Sequence, residues 1–222
     1  MSIAGLEILL AGGAGGLGSH SAELLKREGA KVTVSSREHG LRADITKAED
    51  RKRMLDAVPK LYGLVVFAGS PARGEVEEAM RISHQVNYEG PILLAREAAE
   101  RMKASGTAGA IVLFSTMQAV ALFPGSTAYA GEKAALLHAA RILAKECRSP
   151  ANIRVNVIAP GVMAAGMAEA SIASGKYEHY LEDGVIPRYG RAHDVARAVR
   201  FLLEPDSYIT GQVLSVDGGI TL

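Results

Sequence analysis

Residues 6–18 read Leu6-Glu7-Ile8-Leu9-Leu10-Ala11-Gly12-Gly13-Ala14-Gly15-Gly16-Leu17-Gly18, an apolar run that stops at a cluster of glycines and passes at once into a stretch of helical period. A short, nearly continuous apolar run bounded by a turn signal reads as a strand covered on both faces. Backbone N–H groups at the start of the following helix can hold a pyrophosphate, and glycines let the chain turn tightly and a ligand approach closely. Two registers satisfy a nucleotide fingerprint: Gly13, Gly15 and Gly18 fit G-x-G-x-x-G, while Gly12, Gly16 and Gly18 fit G-x-x-x-G-x-G. Spacing alone leaves the register open, and a merely flexible strand–helix turn is the bland alternative.

The same alternation continues along the chain. Apolar runs rich in Val and Ile lie at 31–35, 61–68, 110–115, 153–159 and 212–216, with a weaker one at 41–43. Between them, helical periodicity covers 17–28, 47–58, 76–103, 127–147 and 193–203. This order predicts a doubly wound, parallel α/β sheet of about seven strands with helices on both faces. Too few residues separate Ser36 from Asp44 for a helix with its loops, so the helix after the second strand is expected to be reduced to a loop. No linker, charge block or repeat divides the chain, which predicts one domain over 1–222.

Composition narrows the function classes. A net charge of +1 supplies no general attraction to nucleic acid or an anionic membrane. One cysteine, Cys147, leaves no internal disulfide framework and suits a reducing compartment. The six histidines form no ligand-like spacing with one another or with Cys147, so no metal site is expected. The run at 6–11 is too short to span a bilayer and lacks the flanks of a secretory leader, which predicts a cytoplasmic protein.

The end of the second strand bears on which dinucleotide would bind. An acidic residue there suits the ribose 2′-OH of NAD, and an arginine suits the 2′-phosphate of NADP. Ser35-Ser36-Arg37 offers a guanidinium and no carboxylate, which favours NADP(H), with Ser36 and Arg37 as contacts. Tyr129 and Lys133 stand four apart in a helical stretch and so share a face. Reducing a carbonyl needs a proton donor beside the nascent alkoxide, and a free tyrosine titrates near ~10. An ammonium ~4 Å away at an effective dielectric of ~20 supplies at most ~4 kcal/mol, enough to lower that value by up to ~3 before desolvation opposes it. The alternative for this pair is a core tyrosine beside a surface lysine.

With these residues in place, the sequence resembles the short-chain dehydrogenase/reductase family from about residue 6 to the C-terminus, its overall pattern being most similar to 3-oxoacyl-thioester reductases. The family's T-G-x-x-x-G-x-G loop selects the register Gly12, Gly16 and Gly18, with Ala11 in place of the threonine. Its tyrosine–lysine motif matches Tyr129 and Lys133, and its helix-borne asparagine matches Asn87. Its P-G signal matches Pro160-Gly161, and its ending matches Val216-Asp217-Gly218-Gly219. The resemblance implies that Tyr129 is the acid/base and that Lys133 lowers its pKa and holds the nicotinamide ribose. Asn87 would support a water-linked proton relay. It further implies cofactor contacts from Gly12, Gly15, Gly16, Leu17, Ala68, Gly69, Pro160, Gly161 and Met163, and from Asp44 and Ile45 at the adenine. A homodimer or homotetramer is implied on the same ground alone.

Four positions depart from the family pattern. The substrate-orienting serine, thirteen residues before the tyrosine, is Thr116, with Ser115 held in reserve; adjacent strand residues face opposite ways, so both cannot serve equally. Phe67 replaces the asparagine of N-A-G, Ala165 stands where a threonine is expected, and Ala11 opens the loop. The stretch 163–186 would be a substrate lid, with Met163, Met167, Tyr177 and Tyr180 as pocket candidates. Two functions follow: an NADP(H)-dependent oxidoreductase acting on a small-molecule ketone or secondary alcohol, or a dinucleotide-binding sensor or scaffold of the same fold that has lost turnover. The family's larger epimerase and dehydratase branch needs a C-terminal substrate domain that 222 residues do not supply.

Overall fold

Strand β1, Glu7–Ala11, shows how the sheet acquires two cores. Successive strand side chains point to opposite faces. Ile8 and Leu10 accordingly join one apolar cluster with Leu25, Val195 and Val199, and Leu9 and Ala11 join another with Leu64, Leu94 and Leu136. Both faces of β1 are dry, which is why its sequence has no polar alternation. The computed structural model describes residues 1–71 and 76–222.

The remaining strands are β2 (Lys31–Ser36), β3 (Leu41–Arg42), β4 (Leu61–Val66), β5 (Ala110–Phe114), β6 (Arg154–Pro160) and β7 (Val213–Val216). They form one seven-stranded sheet in the order β3-β2-β1-β4-β5-β6-β7, every neighbouring pair parallel. The expected doubly wound α/β architecture is observed. β2 and β3 are joined through residues 37–40 without a helix, and the weak run at 41–43 contributes a two-residue strand. The connection is closed by Ser36, whose hydroxyl accepts from the N–H groups of Glu38 and His39 and donates to the His39 carbonyl.

The helices are α1 (Gly16–Arg27), α2 (Ala48–Asp56), α3 (Val76–Ser83), α4 (Gly90–Ala104), α5 (Thr127–Glu146), α6 (Glu169–Ala173), α7 (His179–Glu182) and α8 (Ala192–Leu202). α1 packs on α8 over one face of the sheet, and α4 and α5 lie over the other. The single helix expected over 76–103 is interrupted: α3 and α4 are joined by a π-helical stretch at His84–Glu89. Apolar periodicity runs through such a turn because it widens the helix without ending it.

The strand order reverses between β1 and β4, so a crevice opens beyond their carboxyl ends. There the backbone N–H groups of Phe67 and Ala68 both donate to the Ala11 carbonyl, which brings the ends of the two strands together. On the far side, a Cβ on Gly161 would lie 2.6 Å from the Asp217 Cα, so the segments after β6 and β7 meet only because that position is glycine.

Candidate active site

The crevice deepens into a cavity of about 1120 Å³, and every catalytic or cofactor-binding residue expected from the sequence lines it except Asn87. At one end lies the glycine loop. Gly12 has a φ of 76°, and a Cβ there would sit 2.6 Å from the Ala68 nitrogen. A Cβ on Gly18 would be 2.5 Å from the Gly13 Cα, so α1 can start this close to β1 only with glycine at that place. Gly15 precedes α1 with no side-chain cap. The first N–H groups of a helix have no intrahelical acceptor, so α1 offers an anion both donors and the positive end of its dipole. The backbone at Gly15, Gly16 and Leu17 therefore fits a pyrophosphate.

Arg37 and Asp44 flank the far end of the cavity. Arg37 is exposed in the turn that Ser36 closes, so the Ser36 hydroxyl is committed to shaping the turn. Asp44 Oδ1 accepts from the amide and the hydroxyl of Thr46 at 3.0 and 2.8 Å. The Ile45 carbonyl beside it accepts from buried Arg51, which also pairs with Glu97 at 3.0 Å. Arg37 and Asp44 line the cavity here together with apolar Ala43, Ile45 and Met54, a lining suited to a flat heteroaromatic ring and a sugar.

Tyr129, Lys133 and Thr116 gather at the opposite end. The first turns of α5 carry Tyr129 and Lys133 on one face, and the chain leaving β5 brings Ser115 and Thr116 beside them. Burial pushes the Tyr129 phenol up to about 12, and a side-chain hydrogen bond with Thr116 opposes part of that rise. Ser115 Oγ instead donates to the Lys133 carbonyl at 2.9 Å. The two adjacent hydroxyls thus have different tasks, Thr116 beside the phenol and Ser115 bracing α5.

Lys133 is fully buried, and burial draws its amine down to about 7. Its Nζ donates to the Phe114 carbonyl at 2.8 Å. Spacing predicts a phenol made more acidic by this ammonium; in the structure the phenol is less acidic, because the amine donates to the Phe114 carbonyl and desolvation of the half-buried phenol opposes its ionisation. Desolvation, not the lysine charge, dominates the tyrosine here.

Asn87 lies behind Gly69, outside the cavity wall. Its Oδ1 accepts from the Ser70 amide, and its Nδ2 donates to the Ser70 carbonyl and to Ser83 Oγ, all at 2.9 Å. Ser83 Oγ passes the link on to the Ala128 carbonyl at 2.7 Å, next to Tyr129. The chain of contacts ties the segment after β4 to the first turn of α5, and the π stretch is what carries Asn87. Ser83 was not legible as a site residue, since a serine inside an amphipathic helix gives no signal. Ser83→Ala is expected to destabilise the protein by about 1–3 kcal/mol in denaturant unfolding, because the Ala128 carbonyl and one Asn87 N–H lose their buried partner.

Of the pocket candidates on 163–186, Met163, Met167 and Tyr177 line the cavity. Tyr180 does not, and packs instead with Tyr177 and buried Ile186. Met163 is buried and anchored by a bridge to Gly190, so the freer part of the segment starts after it. Ala165 is buried, and the neighbouring Gly166 crosses the glycine loop closely enough that a Cβ on Gly16 would lie 2.8 Å from its nitrogen. Phe67, in place of the motif asparagine, packs its ring against Phe114 with centroids 4.4 Å apart. Among the described residues there is no cluster able to hold a metal ion and no helix long and apolar enough to cross a membrane.

A family model described as "Enoyl-(Acyl carrier protein) reductase" matches residues 38–221. Carbonyl reductase family member 4 of Danio rerio is 32% identical over 95% of this chain and 96% of its own length. Dehydrogenase/reductase SDR family member 4 of Homo sapiens is 31% identical over 92% of this chain and 83% of its own. A solved short-chain dehydrogenase/reductase from Mycobacterium ulcerans superposes with a TM-score of 0.89 at 28% identity, covering 100% of this chain and 91% of that one. The NADP-bound structure of ElxO superposes at 0.86 with 24% identity, over 97% of this chain and 98% of that one, a likeness of fold.

Proposed function

The chain belongs to the short-chain dehydrogenase/reductase family, and within it we propose an NADP(H)-dependent oxidoreductase that interconverts a ketone and its secondary alcohol, with Tyr129 as the general acid/base. One observation carries the reading: Tyr129, Thr116 and Lys133 converge at one end of a cavity whose other end is an uncapped helix N-terminus flanked by Arg37. Bound along that cavity, NADPH supplies the hydride. Arg37, exposed on the cavity lining between Ser36 and Glu38, would pair with a 2′-phosphate through its guanidinium. Tyr129 is a neutral phenol at neutral pH, and burial raises its pKa further; it would donate to the carbonyl oxygen as that becomes an alkoxide. Thr116 orients that oxygen, and Lys133 holds sugar hydroxyls and supplies positive charge when protonated. Segment 163–186 serves as the lid that excludes water.

The proposal includes a cytoplasmic homodimer or homotetramer acting on a small molecule, with no nucleic-acid or membrane partner. A panel of small ketones with NADPH, followed at the nicotinamide absorbance, is expected to show turnover. Tight NADPH binding with persistent inactivity would favour the sensor or scaffold. Arg37→Asp is expected to weaken NADPH binding about tenfold or more relative to NADH, since it replaces a charge-assisted contact by a repulsive one. An unchanged ratio of the two affinities would remove Arg37 from the cofactor site.

A further inference from the structure

The segment 163–186 holds four carboxylates, Glu169, Glu178, Glu182 and Asp183, and a single lysine, Lys176. Of these five, only Lys176 lines the cavity. Glu169 is turned back to accept from the Gly166 amide at 3.0 Å, and Glu178 lies against Gly175. A segment of net negative charge therefore places its one lysine, exposed to solvent, on the lining of the cavity.

The rest of the cavity is sorted in the same way. Its lining carboxylates, Glu38 and Asp44, both belong to the β2–β3 end, beyond the glycine loop. Around Tyr129 the wall is apolar or neutral, with Met117, Gln118, Phe123 and Ser171, and carries no carboxylate among the described residues. Lys133 donates to the Phe114 carbonyl and is assigned to the cofactor sugar. Lys176 forms no ion pair among the described residues, and its Nζ stands 5.5 Å from the centroid of the Tyr177 ring. Tyr177 in turn lies near enough to Tyr129 to affect the titration of its phenol. All three side chains line the same cavity.

We propose that the substrate carries an anionic group, a carboxylate or a phosphate monoester, a few bonds from the reacting carbonyl, and that Lys176 binds that group. This rests on the oxidoreductase reading for the site. An anion enclosed without a partner would lose its hydration uncompensated, and an ammonium in the wall offsets that loss. Lysine suits the task because its point charge on a flexible stem accepts carboxylate and phosphate alike. A solvated lysine with no ligand is the competing account, and it predicts no preference between an acid and its ester.

The test uses the NADP⁺-loaded protein, titrated calorimetrically with 5-oxohexanoate and its methyl ester, and with hydroxyacetone phosphate and hydroxyacetone. Wild type is expected to bind the better of the two anions about five- to tenfold more tightly than its neutral partner at low salt. Lys176→Gln should remove most of that preference, and Lys176→Glu should reverse it, with unfolding midpoints near wild type as the control for folding. Whichever anion is preferred names the source of the charge. An acid-to-ester ratio equal in wild type and Lys176→Gln, or no measurable binding of either anion, overturns the proposal. The readout needs no turnover. An intact anion preference in a protein that reduces no ketone therefore upholds Lys176 while overturning the chemistry, and turnover without anion preference does the reverse.

Discussion

Tyr129→Phe is expected to lower kcat for ketone reduction by about 10²–10⁴-fold while NADPH dissociation changes by less than about twofold. The substitution removes one oxygen and keeps the ring, so the packing of α5 against the cavity wall survives. What is lost is the proton that must reach the substrate oxygen as hydride arrives. Steady-state turnover and a fluorescence titration of NADPH on the same preparation separate the two effects. Equal loss of binding and turnover would mean that the phenol holds the nucleotide and that another group supplies the proton.

In the cofactor-free protein, Lys133→Met is expected to be more stable than wild type below pH 7, and the difference is expected to fade as pH rises. The unfolded lysine keeps its proton up to about 10.5, whereas the folded one releases it near 7. Between those values the unfolded state binds more protons, so wild-type stability rises with pH across that window and is fully penalised below it. The fall from 10.5 to about 7 sets a ceiling of about 5 kcal/mol on the penalty. Loss of the hydrogen bond to the Phe114 carbonyl offsets about 1 kcal/mol or more of the gain, leaving roughly 3 kcal/mol at pH 6 and less than about 1 at pH 10. Urea unfolding at pH 6, 8 and 10 reads this directly. A difference independent of pH would show that the amine is neutral, or charged, in both states throughout. Turnover by Lys133→Met should be lost at every pH, so stability and activity move in opposite directions.

The two substitutions also show where sequence patterns stop being informative. Strand positions were legible because a buried parallel strand leaves an unbroken apolar run, and the missing helix after β2 followed from simple reach. The gathering of the glycine loop, Tyr129 and Pro160-Gly161 around one crevice followed from the order of the strands. Direction of side chains inside the site did not follow. Spacing puts Lys133 on the face of Tyr129, but a long flexible stem can reach any acceptor nearby, and a strand-end carbonyl satisfies it. Whether Ser115 or Thr116 bonds the phenol depends on where β5 ends, a matter of one residue that no periodicity fixes. Ser83 and Lys176 were silent for a different reason: each has an ordinary explanation on its own helix or loop, and only the neighbours supplied by distant segments give it a second meaning.

The π stretch at His84–Glu89 has a consequence for how this chain can vary. Each residue in an α-helix advances the azimuth by about 100°, so the wider turn acts as a phase shifter between α3 and α4. Removing one residue there would regularise the coil and satisfy local propensity, yet it would swing Ser83 away from Ala128 and point the Asn87 amide away from Ser70. Point replacements on the solvent side of the stretch leave that phase untouched. Insertions and deletions within it change the phase at once, so the length of this six-residue segment is held more tightly than the identity of most of its members.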